Sequence, residues 1–403
     1  MAATEKGVWD LQDVRDKQLA SEWSYDGSQT GSFYLWGDGY YGSLGNNKGD
    51  GHSPGPSVIV NSPILLPGTW ANGILNAQAN RNGGIKTDGT LWMWGWNLYG
   101  GLGQNNRTDY SSPVQLPGTW KKRSDTPGFS DESATLVSGT HTTLGMKSDS
   151  TLWGWGSGYN GVLGQNNSSI AYYSSPVQIP GTTWKNFSTS GNVTGLIKTD
   201  GTLWMLGSND NGMLGLNADG NRVSSPTQVG TNTNWNAIEC QGDNCHIATK
   251  TDGTLWVWGS NYRGELGQNE AGPSTFKSSP TQIPGTNWAH LCGHSEVCFV
   301  TKTDGTLWAW GRNESGETGQ NNLVSISSPA QIPGTTWKEG AFNRQSAIFT
   351  KTDGTLWGLG AAYKGSLGLG SSSLSFKSSP VQISGTTWFM PSTWVEGGSA
   401  MKT

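Results

Sequence analysis

The stretch KTDGTLWMWGWN at residues 86–97 returns, lightly altered, five more times before the chain ends. Internal repetition limits the fold more than any other property of a sequence, because each copy must build a unit that buries its apolar face against the next copy. The glycine closing each LWxWG falls at Gly37, Gly95, Gly156, Gly207, Gly259, Gly311 and Gly360, giving seven units spaced 49 to 61 residues apart. These glycines number the units 1–7 below. Each unit runs from a hairpin xIKTDGTLWxWG through a turn NxxGxLGQNN and a loop of variable length to SSPxQIPGTTW.

Asp-Gly between two alternating segments is a strong hairpin signal and predicts a type I′ turn, with positive φ at both central residues. The pair occurs at Asp88-Gly89, Asp200-Gly201, Asp252-Gly253, Asp304-Gly305 and Asp353-Gly354, and unit 3 replaces it with Asp149-Ser150, which should take the same turn at some cost in strain. The proline of each SSP (Pro63, Pro113, Pro176, Pro226, Pro280, Pro329, Pro380) is expected to open an outer strand whose missing N–H faces solvent. Four short strands per unit predict an all-β fold: a seven-bladed β-propeller over residues 28–403, preceded by a short N-terminal helical extension over 1–27.

Tryptophan supplies the core that this chain otherwise lacks. Of its 22 tryptophans, seven stand in GTxW, six follow the hairpin leucine and five precede the anchor glycine. Large aromatic wedges between blades can substitute for aliphatic residues. The last unit stops at Lys402-Thr403, where other units continue, and the first begins with SFYLWG at Ser32 to Gly37. The C-terminal strand is therefore expected to pair with Phe33 to Trp36 and close the ring without exposed edges.

TDGTLWxWGxNxxGxLG followed by a proline-containing strand resembles the repeats of the regulator of chromosome condensation family, over residues 30 to 403. That resemblance implies the propeller. Members of the family often carry a histidine five residues before the hairpin lysine, and its nucleotide-exchange members carry basic tails. Here the corresponding places hold Arg81, Thr142, Val193, Cys245, Val297, Ser346 and Gly397, and no basic tail is present. The PGTTW and KTDGTLW wording is similar to variants of this repeat in bacterial and phage-borne surface proteins. KGVWDLQDVRDKQLASEW likewise resembles the opening segments of tail-associated proteins of marine bacteriophages. By helical periodicity Val8, Leu11, Arg15, Leu19 and Trp23 share one face, and Val8, Trp9, Leu11, Leu19 and Trp23 are the candidates for docking in that segment.

Composition excludes several classes of function. Net charge is −4 and the longest basic run is Lys121-Lys122-Arg123, so no nucleic-acid partner is expected. No stretch approaches the roughly 18 apolar residues of a membrane span, and MAATEKGVWDLQ lacks the features of a signal peptide. No phosphate-binding glycine loop, HExxH or Ser/His/Asp arrangement is found, so the chain is expected to be non-enzymatic and to need no cofactor. His141 is read as structural. Cys240, Cys245, Cys292 and Cys298, with His246, His290 and His294 interspersed, match no standard zinc spacing; packing is the expected role, with metal or disulfide as alternatives.

Recognition is expected on the turns three residues past each anchor glycine. Tyr40, Tyr159, Tyr262 and Tyr363 stand there, and Tyr41, Trp96 and Tyr99 add aromatic area beside them. Rigid aromatics on loops give contact area at little entropic cost. Together with the resemblances, these features lead to an expected bacteriophage virion structural protein, tail-associated and made in the host cytoplasm. Its N-terminal segment would bind other virion proteins within a larger assembly, and its propeller a host-surface glycan or protein. The alternatives are a bacterial protein-binding or inhibitor propeller, which could be extracellular, and, third, a guanine nucleotide exchange factor.

Overall fold

Each KTDGT segment turns the chain with one left-handed residue. The amide of Gly89 donates to the Lys86 carbonyl (2.9 Å), and the Lys86 amide donates to the Thr90 carbonyl (2.9 Å). Gly89 has φ of 82°, while Asp88 is not among the residues with positive φ. This is a three-residue loop, a type I turn followed by a bulge residue, and not the two-residue type I′ turn expected. The difference has a local cause. With Asp88 on the right-handed side, its Oδ1 accepts from the Thr90 amide (2.9 Å) and from the Thr90 hydroxyl (2.6 Å). Only the last loop residue is left-handed, so unit 3 bears a serine there, Ser150 at φ 66°, with strain at one position.

The computed structural model describes residues 31–48, 59–73, 80–122, 135–167, 169, 171–242, 245–294, 296–343, 345–370, 375–394 and 397–403. The expected N-terminal helical segment, with Val8, Trp9, Leu11, Leu19 and Trp23, lies outside the described residues. Within them the regular structure is β-strand, interrupted by short 3-10 turns.

Five sheets have four antiparallel strands each, and a sixth has seven. Unit 4 is typical: Trp184–Thr189, Val193–Lys198, Leu203–Gly207 and Val223–Gln228 pair in sequence order. The seven-stranded sheet joins units 1 and 2 through the long strand Ile59–Gly73. Its first part pairs with Gly31–Asp38 and its end pairs with Arg81–Lys86. Seven four-stranded units result. As expected, the C-terminal strand Gly397–Lys402 pairs with Gly31–Asp38, in the register Phe33 to Met401 and Trp36 to Gly398. Unit 1 is thus assembled from both ends of the chain.

The SSP proline does not open its strand. Pro113 lies inside Tyr110–Leu116, and the same holds in the other units. The ladder shifts register beside it, between Met93 and Gly95, so no inner partner needs the absent N–H.

Neighbouring units are joined by the same contacts around the ring. A left-handed Asn two residues past the glycine of each LG or TG turn donates its amide to an SSP serine carbonyl in the next unit: Asn47 to Ser111, Asn105 to Ser174, Asn166 to Ser224, Asn217 to Ser278, Asn269 to Ser327 and Asn321 to Ser378. Gly370 donates to Asn61 and completes the circuit from unit 7 to unit 1 (2.8 Å). The indole preceding the anchor glycine reaches back one unit, as Trp94 Nε1 donates to the Ser43 carbonyl (2.9 Å) and Trp310 Nε1 to the Glu265 carbonyl (2.7 Å). These tryptophans are fully buried.

Candidate aromatic recognition site

The two ends of the ring are chemically different. At the hairpin end, each repeat lysine lies over two tryptophans, one from its own hairpin and one from GTxW. Lys86 Nζ is 3.8 Å from the Trp92 ring centroid and 5.5 Å from that of Trp70, and Lys302 Nζ is 4.7 Å from Trp308 and 4.4 Å from Trp288. Trp92 Nε1 donates to the Thr90 hydroxyl, whose own proton goes to Asp88 (2.8 and 2.6 Å). That hydroxyl and the Thr90 amide hold the Asp88 carboxyl below the usual carboxylate range. The repeated words KTDGTLW and GTxW are therefore one structural clamp, built six times.

At the opposite end, the turns after the anchor glycines expose Tyr40, Tyr159, Tyr262 and Tyr363, each between 38% and 50% accessible. Only part of this set is brought together. Tyr40 stacks edge-on to Tyr41 (4.1 Å between centroids), Tyr41 meets Trp96 (5.8 Å), Trp96 meets Tyr99 (5.3 Å), and Tyr99 meets Tyr172 (5.2 Å). One aromatic stripe thus crosses units 1, 2 and 3. Tyr262 and Tyr363 stand apart from it, on units 5 and 7.

Tyr41 has φ of 56°. A bulky residue in the left-handed region is strained, and here the conformation lays the ring against Tyr40 and Trp96. Tyr172 belongs to the outer strand Tyr172–Gln178 and ends the stripe. His141, read as structural, sits 4.5 Å from Tyr99 and 5.5 Å from Trp96. Beyond the stripe, Tyr99, His141, Tyr159, Tyr172 and Asn192 line a cleft of about 320 Å³.

Arg81 lies behind this region with its side chain fully buried. Its Nη2 donates to the Ser138 hydroxyl and the Gly139 carbonyl (2.8 Å each), and Nε donates to the same hydroxyl (3.2 Å). Unit 2 makes room for it with Gly101, where a Cβ would come within 2.4 Å of Nη1. Burial lowers the guanidinium to about 10, so it stays charged at neutral pH. Burial, and then the Arg81 charge, push His141 down to about 4 and keep that ring neutral.

The cysteines are buried free thiols. Cys245 and Cys298, from units 5 and 6, both donate to Gln241 Oε1 (3.2 and 2.9 Å). Among the described residues no group of three His, Cys, Asp or Glu side chains converges on a metal position. His246 is fully buried beside Trp258, and burial pushes it down to about 3.

Comparison with known proteins bears directly on these repeats. The profile of the regulator of chromosome condensation (RCC1) repeat matches residues 88–124 and 252–300. Two stretches of the chain, in units 2 and 5–6, therefore match the RCC1 repeat. The chain is 22% identical over 289 residues to the ultraviolet-B receptor UVR8 of Arabidopsis thaliana, covering 71% of this chain and 62% of that protein. It is 25% identical over 311 residues to human E3 ubiquitin-protein ligase HERC2, covering 74% of this chain and 6% of the ligase. The chain thus spans less than two thirds of the length of both. Guanine nucleotide exchange factor SRM1 of Saccharomyces cerevisiae is 23% identical over 223 residues, 47% of this chain and 46% of that one. Among solved structures, Prp20p of the same yeast superposes with a TM-score of 0.77 at 17% identity, over 93% of this chain and 91% of that one, which establishes the shared fold.

These findings correct two expectations. The relatives named above are proteins of a plant, an animal and a yeast, which overturns the bacteriophage virion assignment and the virion localisation. The physical reason is visible in the hairpin clamps. Low charge and abundant Asn, Ser and Thr are used by the repeat for its own turns and inter-unit bonds, so they carry no information about exposure on a particle.

Proposed function

We propose that the chain is a non-enzymatic, protein-binding regulatory propeller that recognises a partner protein through the aromatic stripe of units 1–3. In this reading the seven units form one seven-bladed domain over residues 28–403, and residues 1–27 are a separate segment. The observation that carries it is the unbroken chain of ring contacts from Tyr40 to Tyr172 across three units, with Tyr40 and Tyr172 exposed at its two ends. Tyrosine and tryptophan dominate the energetics of protein recognition because they bury large area with few rotatable bonds. The relatives support a regulatory role: one is a receptor, one a ubiquitin ligase and one an exchange factor.

The test is affinity capture from a eukaryotic extract, comparing the natural chain with Tyr99→Ala/Tyr172→Ala after both show the same melting temperature. Proteins retained by the first and lost by the second support the stripe as the binding surface. Identical captured sets sink it. Nucleotide exchange on a small GTPase is the second reading, favoured by the similarity to SRM1. A fluorescent-nucleotide release assay over a panel of small GTPases would support it by acceleration above the spontaneous rate, and remove it by none.

A further inference from the structure

The cleft beside the stripe carries charge as well as aromatic rings. Arg107 Cζ lies 5.6 Å from the Tyr172 centroid, and Arg222 Cζ lies 5.3 Å from that of Tyr159. Both arginines are exposed, and both of those tyrosines line the cleft. Ion pairs among the described residues form elsewhere, at Arg263–Glu314, Lys277–Glu270, Arg312–Glu296, Arg312–Glu314 and Lys364–Asp38. Among the described residues that line the cleft, none has an acidic side chain. Asp109, which acts on Tyr41, is engaged by the Asn97 amide (2.7 Å). Behind the cleft, the buried Arg81 is held by hydroxyl and carbonyl oxygens, so its charge is not cancelled locally and is felt at His141. In a chain of net charge −4, two exposed guanidinium groups lie against rings that line one cavity, and a third is buried near His141.

We propose that this cleft receives an acidic segment of the partner protein. An aromatic side chain would enter between Tyr99, Tyr159 and Tyr172, and flanking Asp or Glu carboxylates would meet Arg107 and Arg222. Both arginines are already oriented by stacking on rings, which lowers the entropy lost on pairing with a carboxylate. The tyrosine hydroxyls offer hydrogen bonds to the peptide backbone, and a cavity of this size accepts one large side chain. This assignment rests on the protein-binding reading and specifies its chemistry.

The experiment measures fluorescence anisotropy of a fluorescein-labelled Glu-Asp-Phe-Asp-Glu peptide with the full chain, beside its neutral counterpart Gln-Asn-Phe-Asn-Gln. The acidic peptide should bind about tenfold or more tighter, and lose affinity as salt rises. Arg107→Glu/Arg222→Glu should weaken it by about tenfold or more with the melting temperature unchanged, since both side chains are exposed. Equal binding of the two peptides, no binding of the acidic one, or indifference to the arginine substitutions would overturn the proposal. So would tighter binding of a uridine decamer than of the acidic peptide. The two readings fail separately. If Tyr99→Ala/Tyr172→Ala loses captured proteins while Arg107→Glu/Arg222→Glu keeps them, protein binding stands and the acidic specificity is wrong.

Discussion

The hairpin end and the turn end of this ring are built from the same seven repeats, yet they follow opposite rules. At the hairpin end Lys, Asp, Thr and two Trp recur almost without change, and each copy makes the same contacts at nearly the same distances. At the turn end the backbone repeats while the exposed side chains differ, from Tyr40 and Tyr41 in unit 1 to Asp210 and Asn211 in unit 4. Uniform chemistry is what ring closure requires, since one weak junction opens the whole circle. Departures from uniformity, confined to neighbouring units, are what a recognition surface requires. Substitutions in the framework should therefore alter stability, and substitutions in the stripe should alter binding.

The largest effect should come from Trp310→Ala, which removes a fully buried indole and its hydrogen bond to the Glu265 carbonyl, leaving that oxygen only the weaker Cys298 thiol donor. Urea unfolding should show a loss of about 3–5 kcal/mol. Gly264→Ala should cost about 2–3 kcal/mol, because φ is +87° and the new Cβ would come 2.7 Å from Ser327 Cα of the next unit. Gly220 has the same φ but open space around it, so Gly220→Ala should cost clearly less, and equal losses would contradict the close-approach explanation.

A pH-dependent effect comes next. Burial raises the Glu265 carboxyl to about 7, so the fold prefers its neutral form. The contribution is complete below the ordinary carboxylate range and lost as pH rises through about 7. Glu265→Gln should match the natural chain at pH 4.5 and exceed it at pH 8 by about 2 kcal/mol in thermal or urea unfolding. Lys302→Met removes one cation from between Trp288 and Trp308, and about 1 kcal/mol should follow. The smallest change in stability, under about 1 kcal/mol, is expected for Tyr99→Ala/Tyr172→Ala, with partner binding lost. A large loss of stability there would assign the stripe to the framework and dissolve the contrast between the two ends.

The repeat itself was legible because local chemistry dictates it: turn loops, anchor glycines and paired tryptophans are read within ten residues of one another. The turn type was misjudged because Asp-Gly serves both two-residue and three-residue loops. The carboxylate's hydrogen bonds to Thr90, visible only in the folded chain, select the longer one. Most of the candidate site was also legible. Tyr40, Tyr41, Trp96 and Tyr99 were identified from their place in the turns. Tyr172 and His141 were not, because their contacts with Tyr99 cross a unit boundary and depend on how unit 3 stands against unit 2.

What the sequence determined by itself is the unit and the number of copies, since period, turn residues and aromatic placement are local properties. It also determined ring closure, because a strand missing at one end is supplied at the other. What tertiary structure decided is which exposed aromatics act together. Seven equivalent turns offer seven chances for recognition, and only packing between neighbouring units, with an Arg81 that needs Gly101 beside it, joins three of them into one surface. Contacts between units depend on distances set by the closed ring, and no stretch of sequence contains them.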